Sequence, residues 1–157
     1  MPYRELDHTA DILLEITGAS IHELFCEAAQ ALMDTLYPHT VPSSSHASAA
    51  SFPIEVRIDS ESQNDTDTDE VNESYERYEL LVQAFLSEIL FLTETEYIVF
   101  SSFDIVVEKE TVYGTVHGIP FDAELHGGGI GVKGISYSEL AIQRRKNEYI
   151  LTIIYDI

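Results

Sequence analysis

The sequence predicts an α+β fold, a mostly antiparallel β-sheet with two α-helices packed on one face of a single domain, and three observations carry that prediction. Residues 20–36 and 75–92 repeat apolar side chains at three- and four-residue spacing, the period of an amphipathic helix. Residues 12–16 and 54–58 alternate apolar and polar side chains, the period of a half-buried strand. Beyond residue 98 no helical period survives, and the apolar segments there are separated by turn-forming or charged residues.

Taken in order, Ile12, Leu14 and Ile16 fall on one side of a first strand that Gly18 ends. Ser20 followed by Glu23 makes a capping box, in which the serine oxygen accepts from the third helical amide and the glutamate reaches back to the cap amide. The helix that starts there carries Ile21, Leu24, Phe25, Ala28, Leu32, Met33 and Leu36 as one stripe, and Pro38 marks its end. Residues of about 40–51 are rich in Ser, Ala, Pro and His, and residues 60–74 in Asp, Glu, Ser, Thr and Asn, so both read as flexible loop segments within the domain. Between them a short strand is expected from about Phe52 to Asp59. A second helix begins at about Tyr75, and Leu80, Ala84, Leu90 and Phe91 widen its apolar surface, which predicts the more buried helix of the two. Strands are then expected at Ile98–Glu108, Thr111–Gly118, Ile135–Gln143 and Tyr149–Ile157. The last has apolar side chains in both phases, which predicts a central or doubly covered position.

With 157 residues, 45% of them apolar, the chain is sized for one core. No apolar run approaches the roughly 20 residues of a membrane-spanning helix, and the first residues carry charges rather than a secretory signal, so a cytoplasmic protein without a membrane partner is expected. The net charge of -20 disfavours direct tracking of a phosphate backbone, so any role in RNA chemistry would run through a protein partner. Arg144, Arg145 and Lys146 read as a solvated hairpin turn. Cys26 is the single cysteine, so it has no disulfide partner in the chain, and its helical position favours simple burial.

Two carboxylates, an imidazole and a hydroxyl arrive together in Asp7-His8-Thr9-Ala10-Asp11, where a loop feeds the first strand; the alternative is an ordinary turn held by Asp7 and Thr9. At the other end of the sequence Asp156 stands one residue from the α-carboxylate of Ile157. Anions that close repel unless a cation or donor intervenes, and hard cations take oxygen ligands. Asp11 would contribute to such a site if the first and last strands bring these ends together; otherwise both are exposed strand ends. The run Gly127-Gly128-Gly129-Ile130-Gly131-Val132-Lys133-Gly134 does not match a phosphate-binding loop, because Lys133 precedes Gly134 and a strand rather than a helix; it leaves Lys133 to meet an anion or an acidic group. Asp65 to Asp69 with Glu76 imitates a calcium loop, but Glu70 occupies the position that requires glycine. His117 with Asp122 and His126 suggests acid-base chemistry, yet no Ser or Cys is evident as a nucleophile beside them, so a metal-dependent hydrolase is the weaker reading and a turn held by Asp122 the simpler one.

In this order, Asp-His-Thr-Ala-Asp-Ile at 7–12, Ser-Ile-His-Glu-Leu-Phe at 20–25, Leu-Ser-Glu-Ile-Leu-Phe-Leu at 86–92, His-Gly-Ile-Pro-Phe-Asp at 117–122, Gly-Val-Lys-Gly-Ile-Ser-Tyr at 131–137 and Ile-Ile-Tyr-Asp-Ile at 153–157 resemble the archease family. The resemblance spans the chain except about residues 38–74, and Gly134 and Ser136 stand where the family has Ala and Thr. It implies a cytoplasmic, non-enzymatic accessory protein that promotes guanylylation and turnover of an RtcB-type, GTP-dependent RNA ligase, touching RNA only through that ligase. It also implies a divalent-metal site (Ca²⁺, Mg²⁺ or Mn²⁺) at Asp11, Asp156 and the terminal carboxylate of Ile157, with His8, Asp122 and Lys133 as neighbours. A general chaperone or interaction module with a structural metal is the competing expectation.

Overall fold

A computed structural model describes residues 2–6, 11–38, 49–59 and 70–157 of the chain. In chain order the elements are β1 (Tyr3–Leu6), β2 (Ile12–Gly18), α1 (Ile21–Leu36), β3 (Ala50–Arg57), α2 (Glu70–Glu96), β4 (Ile98–Val107), β5 (Thr111–Pro120), α3 (Ala123–His126), β6 (Gly134–Ile135), β7 (Ala141–Arg145) and β8 (Glu148–Asp156). The α+β class and the antiparallel pairing are as expected, while the strands divide between two sheets. One is five-stranded, with order β1-β2-β8-β6 and β7 also on β8; the other is three-stranded, with order β3-β5-β4. The central place expected for the last strand is filled by β8, which pairs with β2 on one side and with β6 and β7 on the other.

Four differences from the sequence reading have physical causes. The strand β1 is short and charged, with no period of its own, and is specified by its ladder to β2, where Arg4 lies opposite Glu15 and pairs with it at 3.1 Å. The helix α2 begins at Glu70 rather than about Tyr75, and Leu80 and Phe91 remain 48% and 57% exposed, so its buried face is narrower than its composition suggests. The strand expected at 135–143 is two, β6 and β7, because Ser136 Oγ accepts from the Ser138 amide, Leu140 N–H donates to the Tyr137 carbonyl and Glu139 takes φ 58° in between. Across that break α2 supplies the missing partners: Gln83 Nε2 donates to the Ile135 carbonyl at 3.0 Å, and Glu79 Oε1 accepts from the Ile142 amide at 2.9 Å. Burial holds the Glu79 carboxyl above its usual range despite that bond. The fourth is α3, a single turn where only strands were expected.

The core lies where the helices meet the five-stranded sheet. Ile12, Leu14 and Ile16 of β2 and Leu151, Ile153 and Tyr155 of β8 face Leu24, Phe25, Ala28, Leu32 and Met33 of α1 and Leu81, Phe85, Leu86 and Ile89 of α2. The Phe25 and Phe85 rings lie 5.8 Å apart between the helices. Each such large side chain taken fully from water contributes about 1.5–3 kcal/mol before the entropy of ordering it is subtracted. The helix α1 also spans to the second sheet, where His22 Nε2 donates to the Ile105 carbonyl at 3.0 Å and Cys26 Sγ to the Phe103 carbonyl at 3.8 Å, covering the outer carbonyls of the edge strand β4. That assigns Cys26 a packing role, and burial pushes its thiol up. Ser20 caps α1 by accepting from the Glu23 amide at 3.1 Å, and Glu23 reaches back to the Ala19 amide, one residue before the cap.

Candidate functional site

The register of β2 on β8 brings the two ends of the sequence together. Ile12 pairs with Tyr155, so Asp11 and Asp156, the next position along each strand, leave adjacent strands at the same end of the ladder. Ile12 and Tyr155 are buried, 5% and 0% exposed, and side chains alternate along a strand, so Asp156 turns away from the core and is exposed. The core thus fixes the position of a charged pair it does not contain. Tyr155 anchors the end, with its hydroxyl 3.4 Å from the Ala28 carbonyl and its phenol pushed far above the ordinary range by burial.

On the other side of β8, Gly134 pairs with Asp156, and the Lys133 amide donates to the Asp156 carbonyl at 2.7 Å. A Cβ built on Gly134 would stand 3.8 Å from Asp156 Oδ2, so the carboxylate lies along the glycine. Lys133 is exposed and Ile157 is 42% exposed beside them. Next to Asp11 is an open pocket of about 370 Å³ lined by Asp11, Ser136, Ser138, Glu139 and Ile154. Sequence reasoning missed Ser138 and Glu139. Their only signal is a polar run inside what reads as one strand, and the turn that interrupts it is what aims them here.

This arrangement offers oxygen donors of the kind hard cations take, one carboxylate from each of two neighbouring strand ends. Among the described residues, no three or more His, Cys, Asp or Glu side chains cluster closely enough to hold a metal. Of the other residues singled out, His8 lies outside the described residues, as do Asp7, Thr9 and the acidic run Asp65–Asp69. Asp122 serves as the turn residue, its Oδ1 accepting from the Glu124 amide at 2.9 Å at the start of α3, and its amide donates to Nδ1 of the buried His126 at 2.9 Å. His117 does not meet Asp122. Its Nδ1 stands 2.7 Å from Ser51 Oγ, directly across β3 and β5, so a serine does lie beside this histidine, contrary to the sequence reading, on an exposed sheet face. Among the described residues, no helix is long and apolar enough to cross a membrane.

Comparison with known proteins identifies the family and the fold. The model of the Archease protein family (MTH1598/TM1083) matches residues 3–157. The chain is 27% identical to the protein archease of Archaeoglobus fulgidus, with all of both chains covered, and 29% identical to that of Pyrobaculum islandicum, covering 99% of this chain and 95% of the relative. Among solved structures it is similar to protein 1598 of Methanobacterium thermoautotrophicum, with a TM-score of 0.70 at 22% identity over 99% of both chains. It is also similar to an archease of Thermotoga maritima described as a possible chaperone, with a TM-score of 0.60 at 18% identity over 98% of this chain and 96% of that one. With a fold shared with these structures and a family match from residue 3 to 157, this chain belongs to the archease protein family.

Proposed function

We propose that this chain is a non-enzymatic, cytoplasmic accessory protein that promotes guanylylation and repeated turnover of an RtcB-type RNA ligase, and that the Asp11/Asp156 end is the part that acts on the ligase. The observation that supports the reading is the β2–β8 register, in which Ile12 pairs with Tyr155, so that Asp11 and Asp156 follow at the same end of two adjacent strands. Asp11, Asp156 and the α-carboxylate of Ile157 would hold a divalent ion (Ca²⁺, Mg²⁺ or Mn²⁺), with Lys133 and the Ser136–Glu139 turn at its margin. When bound, such an ion neutralises charge that develops on phosphate oxygens during nucleotidyl transfer. The contribution of the chain would be positional, with the buried Ile12–Tyr155 pair keeping the two strand ends adjacent. RNA is met only through the ligase, in keeping with a net charge of -20.

The test is transfer of labelled GMP to the cognate ligase, with ligase in excess over a catalytic amount of this protein. Wild type is expected to stimulate transfer and Asp11→Ala to fail. Full stimulation by the variant would remove the carboxylate pair from the mechanism. A second reading, a general chaperone, is supported by the description of the Thermotoga maritima structure as a possible chaperone. It predicts protection of unrelated clients by wild type and Asp11→Ala alike.

A further inference from the structure

Beside the acidic end lies an apolar surface that the core does not use. Tyr97 and Phe121 are joined across the start of β4 and the end of β5, where the Phe121 amide donates to the Tyr97 carbonyl at 2.7 Å, and they are 70% and 38% exposed. The Phe121 ring stacks on buried His126 at 5.7 Å and lies 5.5 Å from Tyr37 at the end of α1. Leu125 of α3 is 36% exposed, and Ile130, whose amide bonds the Thr35 carbonyl, is 46% exposed. The base of this surface is firm: His126 locks α3 onto Asp122, and a side chain at Gly129 would collide with the Leu36 carbonyl. Grouped apolar side chains on a firm base mark an interaction site more often than a stray exposed residue does.

Two features say what covers it. Exposed Glu94, Glu96, Asp122 and Glu124 flank the apolar residues, and no Lys or Arg occurs in residues 91–97 or 119–132. A second copy would bring acid against acid, and nucleic acid would do the same with phosphates. The complementary surface is an apolar patch rimmed by Lys and Arg, which a protein that grips RNA carries at the margin of its nucleic-acid channel. The surface is also continuous with the carboxylate end: Ile130 is bonded to α1, and Lys133, bonded to Asp156, follows three residues later, a span of at most about 11 Å.

We propose that the Tyr97/Phe121/Leu125/Ile130 surface docks this protein onto the basic margin of its RNA ligase, seating the Asp11/Asp156 end over the nucleotide site. This rests on the function proposed above and divides it into a gripping surface and an acting end. The test is the Kd of the full-length protein for the cognate ligase, measured beside GMP transfer. The variants are Tyr97→Asn with Leu125→Ser, and Glu94→Lys with Glu96→Lys and Glu124→Lys. Asn tolerates the left-handed backbone at residue 97, where φ is 55°, and circular dichroism and Tm check that each variant folds. Both sets are expected to weaken binding at least about ten-fold, with wild-type binding also weakening as salt rises. Asp11→Asn is expected to bind as wild type does while losing stimulation. Folded surface variants that bind with the wild-type Kd would overturn the proposal, as would a dimer of this protein that Tyr97→Asn with Leu125→Ser dissociates. Binding without stimulation by wild type would sink the acting end alone, and the Kd comparison would still judge the surface; no wild-type binding would sink both.

Discussion

The two ends of the β2–β8 ladder are built on opposite principles. At one, Gly18 faces Tyr149, the β7–β8 hairpin turns at Lys146 with φ 54°, the Arg144 guanidinium lies 5.8 Å over the Tyr149 ring, and Ser20 and Glu23 finish the entry to α1. The hairpin turn and the helix cap there each join residues within a few positions of one another, although Gly18 itself meets Tyr149 from far along the chain. At the other end Asp11 and Asp156 meet from opposite ends of the sequence. The first end is completed by local chemistry that stabilises it. The second brings two acidic residues to neighbouring strand ends, and the buried Ile12 and Tyr155 behind them hold that pairing. That contrast sets the end proposed to act on the ligase apart from the structural one.

The largest perturbation that tests it is at the core behind the acidic end. Tyr155→Ala is expected to cost about 3–5 kcal/mol, because a fully buried aromatic leaves a cavity, and chemical denaturation should show the loss. A cost below about 1 kcal/mol would mean the acidic end is not anchored there. At the hairpin end, Gly18→Ala should cost about 1–3 kcal/mol, since the new Cβ would stand 2.7 Å from the Leu24 backbone nitrogen. A thermal melt matching wild type would show that the turn into α1 yields easily. Ser20→Ala should remove a helix cap for about 1 kcal/mol, read from the same melts. The smallest stability effect is expected from Asp11→Asn with Asp156→Asn: Tm unchanged or slightly raised, while any rise in Tm caused by added Ca²⁺ disappears. A double variant that unfolds instead would make these carboxylates structural.

The same contrast decides what could be read from the sequence. The entry to α1, the hairpin turn and the central strand were legible because each is written in neighbouring residues: Ser20 with Glu23, Arg144 to Lys146, and apolar side chains in both phases of 148–156. Asp11 and Asp156 could be named as candidates, but their meeting depends on a long-range register that spacing does not encode. The division into two sheets, the break between β6 and β7, and the Ser136–Glu139 turn depend on α2 side chains Gln83 and Glu79 reaching strands far along the chain. Ser51 beside His117 was invisible for the same reason, since the pair comes from strands 66 residues apart.

The central place of β8 also sets an order of assembly. During synthesis β1, β2, α1 and both helices' apolar faces are available well before the strand that must lie between β2 and β6/β7. Until residues 148–156 leave the ribosome, the edge of β2 is unpaired and Leu14 and Ile16 lack Leu151 and Ile153 beside them. A nascent chain stalled short of Ile150 therefore displays an open strand edge and half a core, the features by which quality control recognises an unfinished protein. Pairing of β8 with β2 fills the centre of the sheet and brings Asp156 to the head of β2 in the same step.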